Sequence, residues 1–265
     1  MIRVTPKINI GLRVTGRRPD GFHNIETLFH PVDCFSDTLE IEETGRSGVR
    51  MDISSADGSP VGWDPDKDLC AKAYRLLAED FALPPVKIKL VKGIPVGAGL
   101  GGGSADCAAT LVELNRLFGL GLDSAALKGY AARLGSDCAF FVDGSPCLAF
   151  GRGEVMKAFS PALEDCRIEM AIPEGEHIST AEAYGGLTPR PAEEAVLCCP
   201  SHCALEDALR LRVEQWNGLV VNDFEEAVFA AHPAIAALKE DFYRRGAVYA
   251  SMTGSGAAVY GIFRK

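Results

Sequence analysis

Alternating apolar and polar residues dominate the first third of the chain and predict β-strands there. Leu39 and Ile41 alternate with polar neighbours in residues 37–43, and residues 3–16 and 49–54 show a similar alternation. This spacing follows the two-residue period of a strand, in which successive side chains point to opposite faces. We therefore expect this part of the chain to form a sheet.

Helices and strands follow each other from residue 68 to about residue 150. Apolar residues at helical spacing predict a helix over 69–81, with Asp68 as its N-cap. The strand at 86–92 is expected to carry Val86, Ile88 and Leu90 on one face and its three lysines on the other. Two more helices are expected at 104–118 and 124–134, with Gly119 and Gly135 at their ends and Asp123 as the cap of the second.

The pattern begins again beyond about residue 152 and predicts a second set of elements. They are a strand at 166–173, a helical stretch at 179–187, a loop rich in proline and cysteine at 189–203, helices near 204–211, 222–231 and 233–245, and a strand pair around 253–256. Because the order lacks regular β–α–β alternation, we expect an α+β protein. The two expected domains are 1–152 and 153–265.

Composition narrows the class of protein. The chain has 265 residues, of which 24% are charged and 47% hydrophobic, which is typical of a globular protein. Its 27 basic and 36 acidic residues argue against a broad nucleic-acid or anionic-membrane surface, but not against a local basic site. No signal peptide or membrane-spanning run is apparent, and the nine cysteines lack a framework spacing. We expect a cytoplasmic protein with reduced thiols.

The segment PVGAGLGGGSA at 95–105 is the strongest candidate for a site. It places five glycines between Gly97 and Gly103, and it joins a predicted strand to a predicted helix. Glycine lets the main chain approach a ligand closely, and the amides of a helix start favour an anion. The pattern therefore predicts a phosphate-binding loop.

Two common phosphate-loop designs fit this segment poorly. Gly97, Gly99 and Gly102 satisfy the dinucleotide-binding spacing, but the acidic residue at the required distance, Asp123, is expected to start a helix. That mismatch disfavours a dinucleotide site. A Walker A loop needs a lysine where Gly103 stands, so that design is excluded.

The loop instead resembles the phosphate loop of the GHMP kinase superfamily. Residues 6–29 resemble the N-terminal signature of the branch of that superfamily that acts on 4-(cytidine 5'-diphospho)-2-C-methyl-D-erythritol. Shorter blocks follow in the family's order: LGSDCAFF at 134–141, ISTAEAY at 178–184, NDFE at 222–225 and MTGSGAAVY at 252–260. The resemblance thus extends over nearly the whole chain.

The resemblance implies a two-domain kinase that phosphorylates the 2-hydroxyl of this cytidine substrate in non-mevalonate isoprenoid biosynthesis, using ATP and Mg²⁺. It implies an N-terminal ATP-binding domain and a ferredoxin-like C-terminal domain, here shortened at its end. The residues that would bind the ATP phosphates are Pro95, Val96, Gly97, Ala98, Gly99, Leu100, Gly101, Gly102, Gly103, Ser104 and Ala105. The TGSG segment at 253–256 would pack beside this loop.

The resemblance also implies two catalytic residues. Asp137 aligns with the family's catalytic carboxylate, which accepts the alcohol proton, and Lys7 aligns with its partner lysine. Propensity alone leaves other interpretations open. Asp137 is also a good helix N-cap, and Lys7 could be a solvated strand residue.

The residues implied for the substrate lie in three blocks. Phe22 and Tyr184 would sandwich the cytosine, and His23 would read its edge, although either aromatic could equally be a core residue. Phe22 replaces the family's usual tyrosine. Asn9 would lie near the transferred group and Asp137 at the acceptor alcohol, with Thr180 close to the nucleotide.

Other interpretations stay open at this stage. CCPSHC at 198–203 could offer Cys198, Cys199, His202 and Cys203 to zinc, but its tight spacing favours a surface loop. Alternative functions are a GHMP kinase for another small alcohol, a nucleotide-binding regulator without activity, and a dinucleotide-dependent oxidoreductase. We expect a monomer or homodimer that binds small molecules, with no nucleic-acid or membrane partner.

Overall fold

The computed structural model describes residues 1–45, 47–187 and 204–265. The strands are β1 (Ile2–Val4), β2 (Lys7–Arg17), β3 (His23–Pro31), β4 (Asp37–Glu43), β5 (Val49–Ser55), β6 (Val86–Lys92), β7 (Cys147–Gly151), β8 (Val155–Ala158), β9 (Cys166–Ala171), β10 (Tyr249–Met252) and β11 (Val259–Arg264). The helices are α1 (Leu69–Asp80), α2 (Gly102–Phe118), α3 (Ser124–Leu134), α4 (Cys138–Asp143), α5 (Thr180–Gly185), α6 (Ala204–Leu209), α7 (Glu225–Ala231) and α8 (Pro233–Arg244). This mixture confirms the predicted α+β class.

The chain folds into two compact units that interleave along the sequence. The first unit comprises Met1–Pro6, Phe35–Val96 and Gly101–Ser145, and the second comprises Lys7–Cys34, Gly97–Leu100 and Pro146–Lys265. The expected domains, in contrast, were contiguous, with a boundary near residue 152. That boundary stays a prediction.

The first unit contains one sheet covered by helices. Its strand order is β1-β4-β6-β5, with β5 parallel to β6 and the other neighbours antiparallel. Helix α2 packs on β4 and β1 and against α1. Local signals account for the helix ends: Asp68 and Asp123 accept backbone hydrogen bonds as the N-caps of α1 and α3, and Gly119 ends α2 at φ +58°.

One expectation for β6 is wrong. Val86, Ile88 and Leu90 are buried as expected, but Lys92 is buried on the same face and does not join Lys87 and Lys89 in solvent. The reason is the two-residue period of a strand, which gives all even-numbered residues of β6 the same side. A lysine at the end of the apolar face needs buried partners.

The second unit contains two antiparallel sheets, ordered β2-β3-β7-β8 and β10-β11-β9. One apolar cluster includes Leu12 and Ile25 from the first sheet, Met252 and Val259 from the second, and Phe224 before α7. These side chains are 9% exposed or less. A shared core of this kind holds the two sheets together.

Sequence patterns missed three elements, β3, β7 and β8, and indicated α4 only through the N-cap interpretation of Asp137. Helix α4 has only six residues, too few to show a helical period, and the first four residues of β7 are buried, so it shows no alternation. Within the described ranges, no helix is long and apolar enough to span a bilayer. The CCPSHC segment at 198–203 lies outside the described residues.

Candidate functional site

The middle of the glycine loop, Gly97–Leu100, which we call its crown, belongs to the second unit and is anchored by two buried apolar side chains. Ala98 is 4% exposed and Leu100 1%, whereas Val96 points into solvent. The carbonyl of Leu100 accepts a 3.1 Å hydrogen bond from the backbone N–H of Lys7. The loop is therefore held to the start of β2 through its main chain.

The same crown interlocks with the TGSG turn between β10 and β11. Gly99 has φ +77°, and a Cβ built there would lie 2.4 Å from the carbonyl oxygen of Thr253. Gly254 has φ +56°, and a Cβ on it would lie 3.0 Å from the carbonyl oxygen of Gly99. Each backbone fills the space that a side chain on the other would need. The predicted packing of TGSG beside the loop is confirmed.

Asn222 also holds the TGSG turn in place, through side-chain hydrogen bonds. Its side-chain amide donates to the carbonyls of Met252 and Gly254 at 2.9 Å each, and its oxygen accepts from the backbone N–H of Phe224 at 3.0 Å. The residue is 4% exposed. Sequence reasoning missed this role, although Asn222 begins the NDFE block that contributed to the family resemblance.

Lys7 lies in the same unit, against the loop, and is not the solvated strand residue that propensity allowed. Its ammonium donates to Asn9 Oδ1 at 2.6 Å and to the carbonyl of Gly99 at 3.3 Å, and it lies 5.0 Å from the centroid of the Phe29 ring. The residue is 3% exposed. A buried ammonium so close to the glycine loop is an electrostatic feature that suits an anionic ligand.

Asn9 is buried between Lys7 and its neighbours on the sheet. Its backbone N–H donates to Thr253 Oγ1 at 2.8 Å, and its side-chain amide donates to Thr27 Oγ1 at 3.0 Å. Asn9 therefore orients the Lys7 ammonium and connects β2 to the TGSG turn. A direct contact between Asn9 and a substrate stays a prediction.

The exit of the loop belongs to the first unit and forms the start of α2. Gly101 is the N-cap of this 17-residue helix, with φ +70°, and no side chain caps it. The first N–H groups of a helix lack intrahelical acceptors, and the helix dipole adds positive potential there. The absence of a side-chain cap suits a phosphate oxygen as the acceptor.

Ser104 contacts Cys138, the residue that follows Asp137, within the first unit. The Ser104 hydroxyl and the Cys107 thiol both hydrogen-bond Cys138, and the bond from Cys107 is the main cause that lowers the pKa of Cys138. Asp137 immediately precedes Cys138 and occupies the N-cap position of α4, but its side chain makes no capping hydrogen bond. Asp137 therefore stands at the start of α4, as the capping interpretation expects, but its side chain does not cap the helix.

The residues predicted for the nucleobase lie in the second unit. His23 stacks on Tyr184 with ring centroids 4.5 Å apart and an interplanar angle of 18°, and Tyr184 packs edge-on against Phe224. Phe22 is 54% exposed, and the guanidinium of Arg152 lies 5.1 Å from its ring centroid. The exposure of Phe22 disfavours a core role for this residue. Thr180, the first residue of α5, is also exposed.

Burial lowers the pKa of His23, and the nearby charge of Arg17 adds to the effect. The imidazole is therefore neutral near neutral pH, a state in which it offers one donor and one acceptor. A neutral ring is also suited to stacking on an aromatic side chain.

His232 connects the segment before α5 to the start of α8. Its Nδ1 lies 2.6 Å from Glu176 Oε2, and its Nε2 lies 3.3 Å from Glu182 Oε1. The carboxylates of Glu176 and Glu182, which accept hydrogen bonds from the ring, raise the pKa of His232. The protonated ring therefore clamps both ends of the segment that carries Thr180.

Known proteins resemble this chain over nearly its whole length. The family described as GHMP kinases N terminal domain matches residues 68–145, and the one described as GHMP kinases C terminal matches residues 204–265. The 4-diphosphocytidyl-2-C-methyl-D-erythritol kinase of Bacteroides thetaiotaomicron is 41% identical over 257 residues, which is 97% of this chain and 89% of that protein. The protein of the same name from Bacteroides fragilis is 40% identical over the same shares.

A solved structure agrees with these sequence matches. The crystal structure of a 4-(cytidine 5'-diphospho)-2C-methyl-D-erythritol kinase superposes with a TM-score of 0.74 at 29% identity, covering 98% of this chain and 88% of that one. The fold, the glycine loop and both family matches define a GHMP kinase. Within that superfamily, the chain belongs to the family of 4-diphosphocytidyl-2-C-methyl-D-erythritol kinases. The predicted resemblance is confirmed.

The interlocked turn predicts that Gly99→Ala is much more destabilising than a matched glycine substitution elsewhere. A positive φ alone costs a side chain about 1–2 kcal/mol, and at Gly99 the added Cβ must also displace the Thr253 carbonyl. We expect a loss of about 3 kcal/mol or more in the free energy of unfolding.

The control is Gly58→Ala, because Gly58 has φ +84° and open space around its Cβ position. Chemical denaturation of both variants measures the difference. Equal losses in the two variants would contradict the tight contact at Gly99.

The His232 clamp predicts a pH-dependent contribution to stability. Because the folded pKa is raised above the ordinary value of 6.5, the contribution is fully present below that value and is lost as pH rises through the folded pKa. The unfolding free energies of wild type and His232→Gln should therefore converge as pH rises from 6.5 through the folded pKa of His232. A difference that stays constant over this range would show that the ring's charge contributes nothing.

Proposed function

We propose that this chain transfers the γ-phosphoryl group of ATP to the 2-hydroxyl of 4-(cytidine 5'-diphospho)-2-C-methyl-D-erythritol, a step of non-mevalonate isoprenoid biosynthesis. The observation that carries this proposal is 41% identity, over 97% of the chain, to a kinase named for that substrate. Phosphoryl transfer depends chiefly on alignment and charge neutralisation. The chain's buried cation and glycine-rich backbone are suited to both.

The donor would be held by the loop Pro95–Ala105. Gly99 gives the backbone a conformation that side chains avoid, the uncapped start of α2 offers N–H groups, and Ser104 adds a hydroxyl. Mg²⁺, when bound with ATP, screens the triphosphate charge. Among the described residues no group of three or more His, Cys, Asp or Glu side chains could hold a metal, so phosphate oxygens and water are the proposed ligands.

Asp137 is the proposed general base. A carboxylate that accepts the proton of the 2-hydroxyl makes that oxygen a better nucleophile for the phosphoryl group. The proposal rests on the position of Asp137 in the LGSDCAFF block at 134–141, where it aligns with the family's catalytic carboxylate.

Lys7 is the proposed electrostatic partner in the transfer. Its ammonium is buried and oriented by Asn9 and the Gly99 carbonyl, so its charge is fixed before the substrate arrives. A preorganised positive charge stabilises the negative charge that develops on the transferred group.

The cytosine would bind at the group formed by Phe22, His23 and Tyr184, with Thr180 near the nucleotide. Stacking of a base on an aromatic ring contributes about 1–3 kcal/mol in other systems. His23 now covers one face of Tyr184, so a base that stacks there must displace the imidazole. A neutral imidazole beside the base offers one donor and one acceptor to its edge.

Catalysis by Asp137 predicts that Asp137→Asn removes most of the turnover while leaving ADP binding intact. Loss of a general base lowers rates by about 10²–10⁴-fold. A coupled assay of ADP release with the cytidine substrate measures turnover, and calorimetry with ADP and Mg²⁺ measures donor-site binding. Near-normal turnover would remove Asp137 from the mechanism.

The matched control is Asp143→Asn, because Asp143 is a carboxylate on the same helix that accepts hydrogen bonds from Ser124 and Lys128. We expect its turnover to stay within about twofold of wild type, as for a surface change.

Homoserine and mevalonate serve as alternative acceptors in the same assay and test the specificity for the cytidine substrate. Faster turnover of either alcohol than of the cytidine substrate would contradict the proposed specificity.

The location and partners of the chain stay predictions. We expect the reaction to occur in the cytoplasm. We also expect both substrates to be small molecules. The acidic balance of charges supports the expectation of no nucleic-acid or membrane partner.

A further inference from the structure

Three buried charged residues of the first unit meet where the glycine loop begins and ends. Lys92 is the last residue of β6, Asp37 the first of β4, and Asp106 lies near the start of α2. The Lys92 ammonium bonds a carboxylate oxygen of Asp37 and lies 2.5 Å from Asp106 Oδ2. All three side chains are 7% exposed or less. We call these residues the Lys92 network.

Asp37 connects the network to the entry of the loop, which consists of Gly93 and Ile94. The Oδ1 atom of Asp37 accepts hydrogen bonds from the backbone N–H groups of Gly93 at 2.6 Å and Ile94 at 2.7 Å. These two residues lead directly from β6 to Pro95. One carboxylate therefore fixes both the ammonium and the main chain that enters the loop.

Asp106 connects the network to the exit of the loop, which is the start of α2. A Cβ built on Gly102, the first residue of α2, would lie 2.9 Å from Ile94 Cγ2 and 3.5 Å from the Lys92 Nζ atom. The helix start thus rests directly on the loop entry and on the ammonium. Asp106, on the same helix, completes the contact by accepting from Lys92.

Stability alone explains this arrangement poorly. The free energy lost when charges leave water is about as large as the attraction gained within a buried ion pair. Apolar residues of similar volume often make the folded protein equally stable. The second oxygen of Asp106, Oδ1, is buried without a hydrogen-bond partner among the described residues, which adds a further cost. What the network supplies is a fixed geometry for two backbone segments.

We propose that Lys92, Asp37 and Asp106 are positioning residues that set the geometry of the donor-phosphate loop by fixing its entry and exit to one ammonium. The inference rests on the proposed function, in which this loop binds the phosphates of ATP. No member of the network needs to touch the nucleotide. Its effect acts through the backbone amides that do.

The charge state of the network makes Asp106 the residue to change. Burial raises the pKa of Asp106 to about 7, assisted by the negative charge of Asp37 and opposed by Lys92. Replacing Asp106 with a neutral residue leaves Lys92 and Asp37 as a balanced pair. Replacing Lys92 would instead leave two buried carboxylates without a cation, which risks unfolding.

The test compares Asp106→Leu and Asp106→Asn with wild type. Asp106→Leu should weaken binding of ADP with Mg²⁺ and raise the KM for ATP by on the order of tenfold, the equivalent of one hydrogen bond to a charged group. Its KM for the cytidine substrate should stay within about twofold, and its thermal midpoint should equal or exceed that of wild type. Asp106→Asn keeps an acceptor for Lys92 and should show a smaller loss of ADP affinity.

The control is Asp123→Ala, which removes the N-cap of α3 in the same unit and lowers the thermal midpoint. Its ADP affinity should match wild type. Unchanged ADP affinity in Asp106→Leu, or losses that follow the thermal midpoint in all variants, would overturn the proposal. A wild-type protein that binds ADP but does not phosphorylate the cytidine substrate would overturn the proposed function and not the role of the network.

Discussion

The contact between Gly99 and the TGSG turn is the constraint on which the second unit's part of the site depends. Two backbones separated by about 150 residues in sequence approach so closely that neither can carry a side chain at the contact. Thr253 also accepts from the N–H of Asn9, and Asn222 bonds the carbonyls on either side of Thr253. The positions of the loop crown, of Asn9 and of Lys7 therefore follow from one piece of packing.

In the first unit, buried charges hold the segments of the glycine loop in place. The unit's two segments of the loop are fixed by a buried ammonium, a carboxylate that also bonds main-chain N–H groups, and a second carboxylate on α2. Close backbone packing and buried ion pairing are different devices with a common result. Both fix the main chain of the loop, and a fixed arrangement of amides is what recognition of a phosphate requires.

Local signals were sufficient wherever the cause of a structure is local. Asp68, Asp123 and Gly119 occupy the ends of helices because each residue satisfies backbone groups within its own turn. The glycine loop could be predicted because its glycines, the strand before it and the helix after it are contiguous. The family was predictable because its motifs recur in order along the chain.

Long-range partners could not be predicted in this way. The role of Asn222 depends on carbonyls about 30 residues away, and the burial of Lys92 depends on Asp37 and Asp106 from two other elements. Lys92 could have been placed on the apolar face from its even position in β6, but its need for two carboxylates could not. The stacking of His23 on Tyr184 likewise joins residues that only the folded chain brings together.

In the proposed function, main-chain N–H groups of this loop bind the donor phosphates. Hydrogen–deuterium exchange of the full chain, with and without ADP and Mg²⁺ at saturation, tests it directly. We expect the amides of residues 97–104 to exchange more slowly when the nucleotide is bound. Saturated nucleotide binding that leaves exchange in this segment unchanged, with protection only elsewhere, would contradict it.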